Sequence, residues 1–241
     1  MKIGSLGFVQ KIGNIIPKTQ AKVSFGNNLD EFCTNPSEAE FKKKFRAELD
    51  SKKEEIYKAL DEVKIKDISN LKEGTPVEII SQFFDGEAQY TEIPKLMHKT
   101  FPQNALKIVE DGFSEKKINT TAYGPAIYFG TNEGSLEIYS GILLNADFKG
   151  NCADANVNIE KSNVLKNSLI KEIATQMGID MMQYSPEIML KFSVMENFAN
   201  EYIREKIVND LKIDGAFAKS SREGYFLVFN PKAISNINFR H

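Results

Sequence analysis

The chain has no tryptophan, and it has only two cysteines and two histidines among its 241 residues. Cys33 and Cys152 are far apart in the sequence and belong to no CxxC or Cys/His ligand pattern. A structural zinc site is therefore excluded on ligand count, and a disulfide framework is not indicated. We interpret both cysteines as unpaired thiols in a reducing compartment, and we expect no bound metal.

Long apolar runs and a large net charge are also missing. No apolar run approaches the ~18 residues that a membrane-spanning helix needs. Gln10, Lys11 and Asn14 interrupt the apolar residues near the start, which argues against a Sec signal peptide. The formal net charge is −2, so a nucleic-acid partner held mainly by electrostatics is not expected. These absences predict a cytoplasmic protein without a membrane partner, with a translocated effector as the alternative.

Familiar catalytic signatures are absent, because the chain contains no GxGxxG, Walker A, GxSxG or HExxH pattern and no internal repeat. What is present is ordinary for a globular protein: 41% of the residues are hydrophobic and 27% are charged, close to the usual proportions. The length is enough for one large domain or for one domain with a small extension.

We expect three parts along the chain. Residues 1–36 are rich in Gly, Asn and Pro, and are predicted to be poorly ordered or to form a strand-like arm on the body. Residues 37–90 are predicted to be a helical extension and a bridge. Residues 91–241 are predicted to be the main domain.

The helical extension rests on apolar residues that recur at helical spacing over residues 37–66, among alternating Lys and Glu. This pattern predicts an amphipathic helix or a helix pair, and Ser37 with Glu40 predicts a capping box at its start. The bridge over residues 73–90 combines a short β-type run with turn residues.

The main domain alternates strand and helix patterns. A strand is predicted to end at His98, followed by a helix with Pro102 in its first turn and Gly112 as its αL cap. A helix over residues 156–178 and a second one starting at Ser185 separate further predicted strands, whose sequences are AIYFG, GILLNADF and YFLVF. Strands and helices mixed in this way predict an α+β fold with mixed sheets.

An ordered set of short motifs resembles the ADP-ribosyltransferase family, and within it the poly(ADP-ribose) polymerase-like branch. The set comprises HKT after a strand, NALKIVEDGF, YGPAIYFGTN, ILLNADFKG and YFLVFNPKAI, together with a second tyrosine 139 − 128 = 11 residues after the first. The resemblance covers residues 94–239 in the family's order, although the helices at 156–210 are outside its short common core. It implies an ADP-ribosyltransferase-like fold of mixed, mainly antiparallel β-sheets with flanking helices.

The resemblance also implies a site for NAD. His98 matches a histidine that hydrogen-bonds a ribose hydroxyl, Lys99 a residue whose backbone meets the nicotinamide carboxamide, and Thr100 a hydroxyl that reaches toward the nucleotide. Tyr128 matches the tyrosine that lines the nicotinamide pocket, and Tyr139 the tyrosine that stacks on the nicotinamide ring. An aromatic face suits this heterocycle, which is cationic in NAD.

Several positions depart from the family pattern. Lys99 replaces the usual glycine, and Leu136 replaces a serine that bonds the carboxamide. Tyr225 occupies the place of the catalytic glutamate and is expected beside the NAD, and family members without that glutamate are mono-ADP-ribosyltransferases or inactive. Glu223 lies two residues earlier, on the same strand face if the strand extends that far, and is the candidate substitute; the alternative is a solvated turn residue. Residues 114–122 would form the loop over the donor.

The resemblance thus implies a mono-ADP-ribosyltransferase with NAD as co-substrate and a protein, or else a nucleic acid, as acceptor. His98, Tyr128 and Glu223 would be its catalytic residues. The alternative is an inactive module of the same fold that binds NAD, ADP-ribose or a protein partner. A phosphotransferase of the tRNA 2′-phosphate type needs several arginines around phosphates, and the chain has four arginines, none beside His98. We expect a monomer.

Overall fold

The computed structural model describes residues 36–66, 71–115, 118, 120–121, 124–136, 140–156, 159–183, 185–218 and 224–240. The first elements are helices α1 (Pro36–Ser51), α2 (Lys53–Glu62) and α3 (Pro76–Ser81), strand β1 (Phe84–Thr100) and helix α4 (Pro102–Asp111). Short strands β2 (Thr120–Thr121), β3 (Gly124–Pro125) and β4 (Ile127–Gly130) follow, and then a 3₁₀ turn (Glu133–Leu136) and strand β5 (Ile142–Ala155). The remaining elements are α5 (Ile159–Gln176), α6 (Pro186–Glu205), a π-helical turn (Lys206–Asp210), β6 (Gly215–Ala218), β7 (Tyr225–Val228), a 3₁₀ turn (Pro231–Ala233) and β8 (Ile234–Phe239). The predicted α+β class is confirmed.

The strands form a six-stranded sheet in the order β1-β4-β7-β6-β5-β8, and β2 and β3 pair separately. Strands β1 and β5 also pair with each other, so β1, β4, β7, β6 and β5 close into a ring and β8 adds to β5 outside it. The β5–β6 pair is parallel, and the other described strand pairs are antiparallel.

Alternating side chains divide the core into two clusters on the two faces of the sheet. On β4, Ile127 and Phe129 belong to an inner cluster built almost wholly from strand residues. Ala126 and Tyr128 belong to an outer cluster shared with the helices. Since β1, β4, β5 and β7 all contribute side chains to the inner cluster, it lies within the ring.

Five of the six described α-helices form one layer over the outer face. Side chains of α1, α2, α3, α5 and α6 meet in the outer cluster, and the fully buried Leu49 and Leu60 lie in it with Leu165 and Tyr202. The apolar repeat over residues 37–66 forms two helices, α1 and α2, which was one of the two predicted arrangements. Strand β1 runs across residue 90, where the sequence placed a boundary.

Three local predictions were wrong. The predicted β-type run is helix α3, which begins at a capping box in which Thr75 and Glu78 bond each other's backbone amides. Ser37 does not cap α1, because the helix already begins at Pro36. Gly112 has a positive φ of 80° but a ψ of −178°, so it ends α4 in an extended conformation and not in an αL cap.

Candidate functional site

Three neighbouring strands carry the residues that the sequence singled out. His98 lies near the end of β1, Tyr128 on β4 and Tyr225 at the start of β7, and these strands are adjacent in the order β1-β4-β7. Gly130 of β4 pairs with Met97 on one side and with Tyr225 on the other. The fold therefore brings the backbones of all three predicted site residues together.

The imidazole of His98 is buried in the inner cluster, with 7% of the residue exposed. Its ring meets Phe113 edge-on at 5.0 Å and lies 5.4 Å from the ring of Phe129. Burial lowers the pKa of His98, and the hydrogen bond to Tyr128 opposes this only in part. Burial therefore favours the neutral imidazole.

One hydrogen bond defines which nitrogen of that imidazole carries the proton. The Nδ1 atom of His98 lies 2.8 Å from the backbone carbonyl oxygen of Tyr128. A carbonyl oxygen can only accept, so Nδ1 is the protonated nitrogen and donates. In the neutral ring Nε2 is then an acceptor, which suits a hydroxyl or amide donor.

The rings of Tyr128 and Tyr225 lie on the opposite face of the sheet from His98. Both belong to the outer cluster, with 3% and 5% of their surfaces exposed. Their ring centroids are 6.4 Å apart in an edge-to-face arrangement, and the Tyr128 hydroxyl donates to the Gly124 carbonyl at 3.5 Å. The structure thus joins the His98 imidazole to the Tyr128 backbone but not to the tyrosine rings.

Lys99 and Thr100 are the last two residues of β1. They follow Met97, which pairs with Gly130 of β4. The Lys99 ammonium lies 3.5 Å from the Leu136 carbonyl oxygen. Thr100 is 6% exposed, and its carbonyl oxygen would lie 2.3 Å from a Cβ at position 141. Gly141, with a φ of +132°, is therefore needed for the chain to pass this close to the end of β1.

Leu136 fills the space above Gly130. Its residue is 4% exposed, and a Cβ on Gly130 would lie 2.8 Å from the Leu136 Cγ atom. Because Met97, Gly130 and Tyr225 pair directly across three strands, their side-chain positions share one face. Leu136 therefore covers the face opposite to the His98 imidazole.

Several predicted site residues lie outside the described residues: Tyr139, Glu223, and residues 116–117, 119 and 122 of the predicted loop. The neighbour of Glu223 is described. Gly224 accepts hydrogen bonds at its carbonyl oxygen from the Thr131 amide at 3.0 Å and from the Thr131 hydroxyl at 2.8 Å. The start of β7 is thereby tied to the end of β4, and β7 itself, Tyr225–Val228, carries no carboxylate.

Sequence reasoning missed a charged contact at the start of the predicted loop. Arg204 of α6 is 7% exposed, and its guanidinium lies 3.3 Å from the Glu115 carboxylate. The Lys232 ammonium lies 3.6 Å from the same carboxylate. A single arginine within a helical pattern gave no signal of this role, which is to link the segment that follows Phe113 to helix α6.

Metal and thiol chemistry find no support in the part of the chain that the structure describes. No group of three or more His, Cys, Asp or Glu side chains there is placed to hold a metal ion. Cys152 is a buried free thiol, and burial raises its pKa to about 12, which disfavours the thiolate that a nucleophilic cysteine needs. Among the described helices none combines the length and apolar character needed to cross a membrane. The chain matches no protein-family model, no curated protein and no solved structure.

Proposed function

We propose that this protein is a NAD-dependent mono-ADP-ribosyltransferase of the poly(ADP-ribose) polymerase-like type. It would cleave the bond between nicotinamide and ribose and transfer ADP-ribose to a protein acceptor, with nucleic acid as the less favoured acceptor class. The observation that carries the proposal is the state of His98. A buried neutral imidazole, held at Nδ1 by the β4 backbone, offers Nε2 as an acceptor for a ribose hydroxyl.

The neighbouring residues take the roles that the resemblance gives them. The backbone of Lys99 would meet the nicotinamide carboxamide from the side of β1 that faces away from its partner Leu143 on β5. Thr100 would reach toward the nucleotide. Tyr139 would stack on the nicotinamide. Tyr128 would act through its backbone carbonyl, which holds His98, because the rings of Tyr128 and Tyr225 lie on the opposite face of the sheet from the imidazole.

The reaction places little demand on acid catalysis. Nicotinamide is cationic in NAD and leaves as a neutral molecule, while positive charge develops on the ribose. The site must hold the dinucleotide and stabilise that charge. A neutral His98 fits this requirement, since an imidazolium at the ribose would repel the developing charge.

A carboxylate near the ribose would stabilise the positive charge that develops there. Tyr225 stands in the family's glutamate position and is buried against Tyr128. Glu223 remains the candidate, one residue before the carbonyl that Thr131 holds. In that role its carboxylate would lie close to the ribose and polarise the acceptor.

A binding module without turnover is the second candidate, and two observations favour it. No residue of β7 is acidic, and Leu136 covers Gly130 on the face that Tyr225 shares. Such a module would hold NAD or ADP-ribose, or would bind a protein partner through the same fold.

Incubation with NAD, followed by chromatography of free nicotinamide, tests the first proposal. We would compare the wild type with His98→Ala and Glu223→Gln, and use His241→Gln as the control because it removes the other histidine. We expect release by the wild type and by the control, with loss in both site variants. Loss in His98→Ala alone would place the NAD contact at His98 and leave Glu223 as a turn residue.

If the wild type releases no nicotinamide, calorimetric titration with NAD separates the remaining outcomes. Binding that is lost in His98→Ala would favour the module without turnover. An absence of NAD binding by the wild type would overturn the transferase proposal and the NAD-binding form of the module.

A further inference from the structure

Strand β5 is flanked at one point by irregularities in both of its neighbours. Along β1, Ile93 pairs with Phe148 and Leu96 with Ala146, so two residues of β1 face one residue of β5. The facing residue is Asp147. On the other side of β5, Asn145 pairs with Asn238 of β8 and Asp147 pairs with Ser235. Two residues of β8 therefore face the single residue of β5 between these pairs. Each neighbour of β5 therefore carries a one-residue bulge beside Asp147.

The carboxylate of Asp147 is bonded to both bulges. Its Oδ1 atom accepts from the Lys95 backbone amide at 2.9 Å, and its Oδ2 atom accepts from the Asn236 side-chain amide at 2.7 Å. Lys95 and Asn236 have φ values of 58° and 51°, and they are two of the three described non-glycine residues with positive φ. The bonds from Asn236 and then Lys95 hold the pKa of Asp147 below its usual range.

The bulge in β1 decides which face His98 occupies. Ile93 and Leu96 both contact the inner cluster, although residues three apart on a regular strand point to opposite faces. The extra residue at the bulge restores the inner face for Leu96, and His98 follows two residues later. Without it, the side chains after Pro94 would turn to the other face.

We infer that Asp147 is a positioning residue for His98. By holding Lys95 in its positive-φ conformation, the carboxylate fixes the extra residue in β1 and so keeps the imidazole beside Phe129 and the Tyr128 carbonyl. The importance of this for nucleotide binding rests on the proposed function, whereas the effect on the imidazole itself does not. The carboxylate acts on the site through the backbone and not by touching a substrate.

The test uses a rescue that distinguishes this path from a general loss of stability. In Asp147→Ala, the Lys95 conformation loses its hydrogen-bond partner. Adding Lys95→Gly supplies a residue that adopts positive φ without steric strain, so the bulge no longer depends on the carboxylate. Asn236→Gly is the matched control, because it removes the other bond of Asp147 and leaves the Lys95 bond in place.

The readout is ¹⁵N NMR of the imidazole, with His241→Gln as the background so that only His98 gives a histidine signal. We expect the wild type and Asn236→Gly to show a protonated Nδ1 and an unprotonated Nε2. Asp147→Ala should lose this pattern, and Asp147→Ala with Lys95→Gly should regain it. If NAD binds, its affinity should fall about tenfold in Asp147→Ala, as for the loss of one good hydrogen bond, and recover in the double variant.

An unchanged His98 pattern in folded Asp147→Ala would overturn the inference. If Asp147→Ala does not fold, the double variant carries the test. A double variant that stays unfolded, or folds with an altered His98 pattern, would also overturn it, because the carboxylate would then not act through Lys95. Failure of the wild type to bind NAD would remove the proposed function and leave the NMR result to decide the positioning role.

Discussion

At the scale of single residues, the contact between Gly130 and Leu136 shows how a missing side chain shapes the site. Gly130 lies at the centre of the row that joins β1, β4 and β7. Its lack of a Cβ lets the Leu136 side chain settle on the sheet. The 3₁₀ turn that carries Leu136 thereby closes one face of the candidate site.

Gly130→Ala should therefore destabilise the protein. The new methyl group would lie 2.8 Å from the Leu136 Cγ atom, and overpacking of this kind costs about 1–3 kcal/mol. Denaturant unfolding would measure the cost. In a Leu136→Ala background the same substitution should cost less, because the contact with the Leu136 Cγ atom is removed and only the Asn132 backbone oxygen, at 3.1 Å, stays close to the methyl group.

Gly134→Ala is the control, because its Cβ would meet only the end of the Asn132 side chain, at 3.3 Å. It should change the free energy of unfolding by less than about 0.5 kcal/mol. Equal costs of Gly130→Ala in both backgrounds would show that the two residues do not share this space.

The sequence located His98, Tyr128 and Tyr225 on strands, but it could not assign their faces. Which face a residue occupies depends on the count of residues in each strand, and the bulge at Lys95 shifts that count by one. The bulge is stabilised by Asp147, 52 residues further along the chain. Local patterns carry no information about a contact at that separation.

At the scale of elements, a charged seam holds α1 and α2 to α6. The Glu201 carboxylate accepts from Arg46 and from Lys53, the latter at 3.0 Å. Lys53 also bonds Glu205 at 2.8 Å. Asp61 accepts from the Tyr202 hydroxyl at 2.6 Å, beside the apolar cluster.

Glu201→Gln should weaken this seam. The substitution removes one negative charge between two partly buried cations, whose side chains are 32% and 33% exposed. We expect a loss of about 1–3 kcal/mol in the free energy of unfolding, measured by denaturant titration. Glu187→Gln is the matched control on the same helix, since Glu187 is 59% exposed and pairs with Lys191. The control should cost under about 0.5 kcal/mol.

The difference in free energy of unfolding between the wild type and Glu201→Gln should change with pH in a defined direction. Burial opposes the charge on Glu201, but the bonds from Arg46 and Lys53 prevail and lower its pKa. A carboxylate with a lowered pKa in the folded state contributes stability above its unfolded pKa, about 4.3, and loses it as the pH falls further. The gap between wild type and Glu201→Gln should thus be constant from neutral pH to about pH 5 and shrink below about pH 4. A gap that grows in acid would contradict the role of the two cations.

Elements with a strong local sequence pattern were predicted well. Very short elements, and strands that form through pairing with a distant strand, were not. Helix α6 begins after Ser185, whose side chain accepts from the Ile188 amide, as its Ser-Pro start predicted. Helix α3 has only six residues, too few for a helical repeat to show. The first half of β1 is polar and exposed, and it becomes a strand because β5 pairs with it as far as Phe84.

At the scale of the whole molecule, the helices before β1 belong to the same hydrophobic core as the rest. Phe45, Leu49, Ile56, Leu60 and Ile65 are each at most 5% exposed. They lie in one cluster with residues of α5, α6 and β7. Removal of α1 and α2 would expose both sides of this contact to water.

A chain restricted to residues 71–241 should therefore not fold cooperatively. Burial of each large apolar side chain contributes about 1.5–3 kcal/mol, so five such residues contribute about 8–15 kcal/mol. That matches the whole stability of a typical domain, about 5–15 kcal/mol. Thermal unfolding followed by near-ultraviolet circular dichroism would show the loss as an absent transition. Residues 36–241 form the control, because they retain every described contact, and they should keep the transition. A sharp transition in residues 71–241 would show instead that the helices before α3 are an appendage, and that α3, α5 and α6 are enough to support the site on β1, β4 and β7.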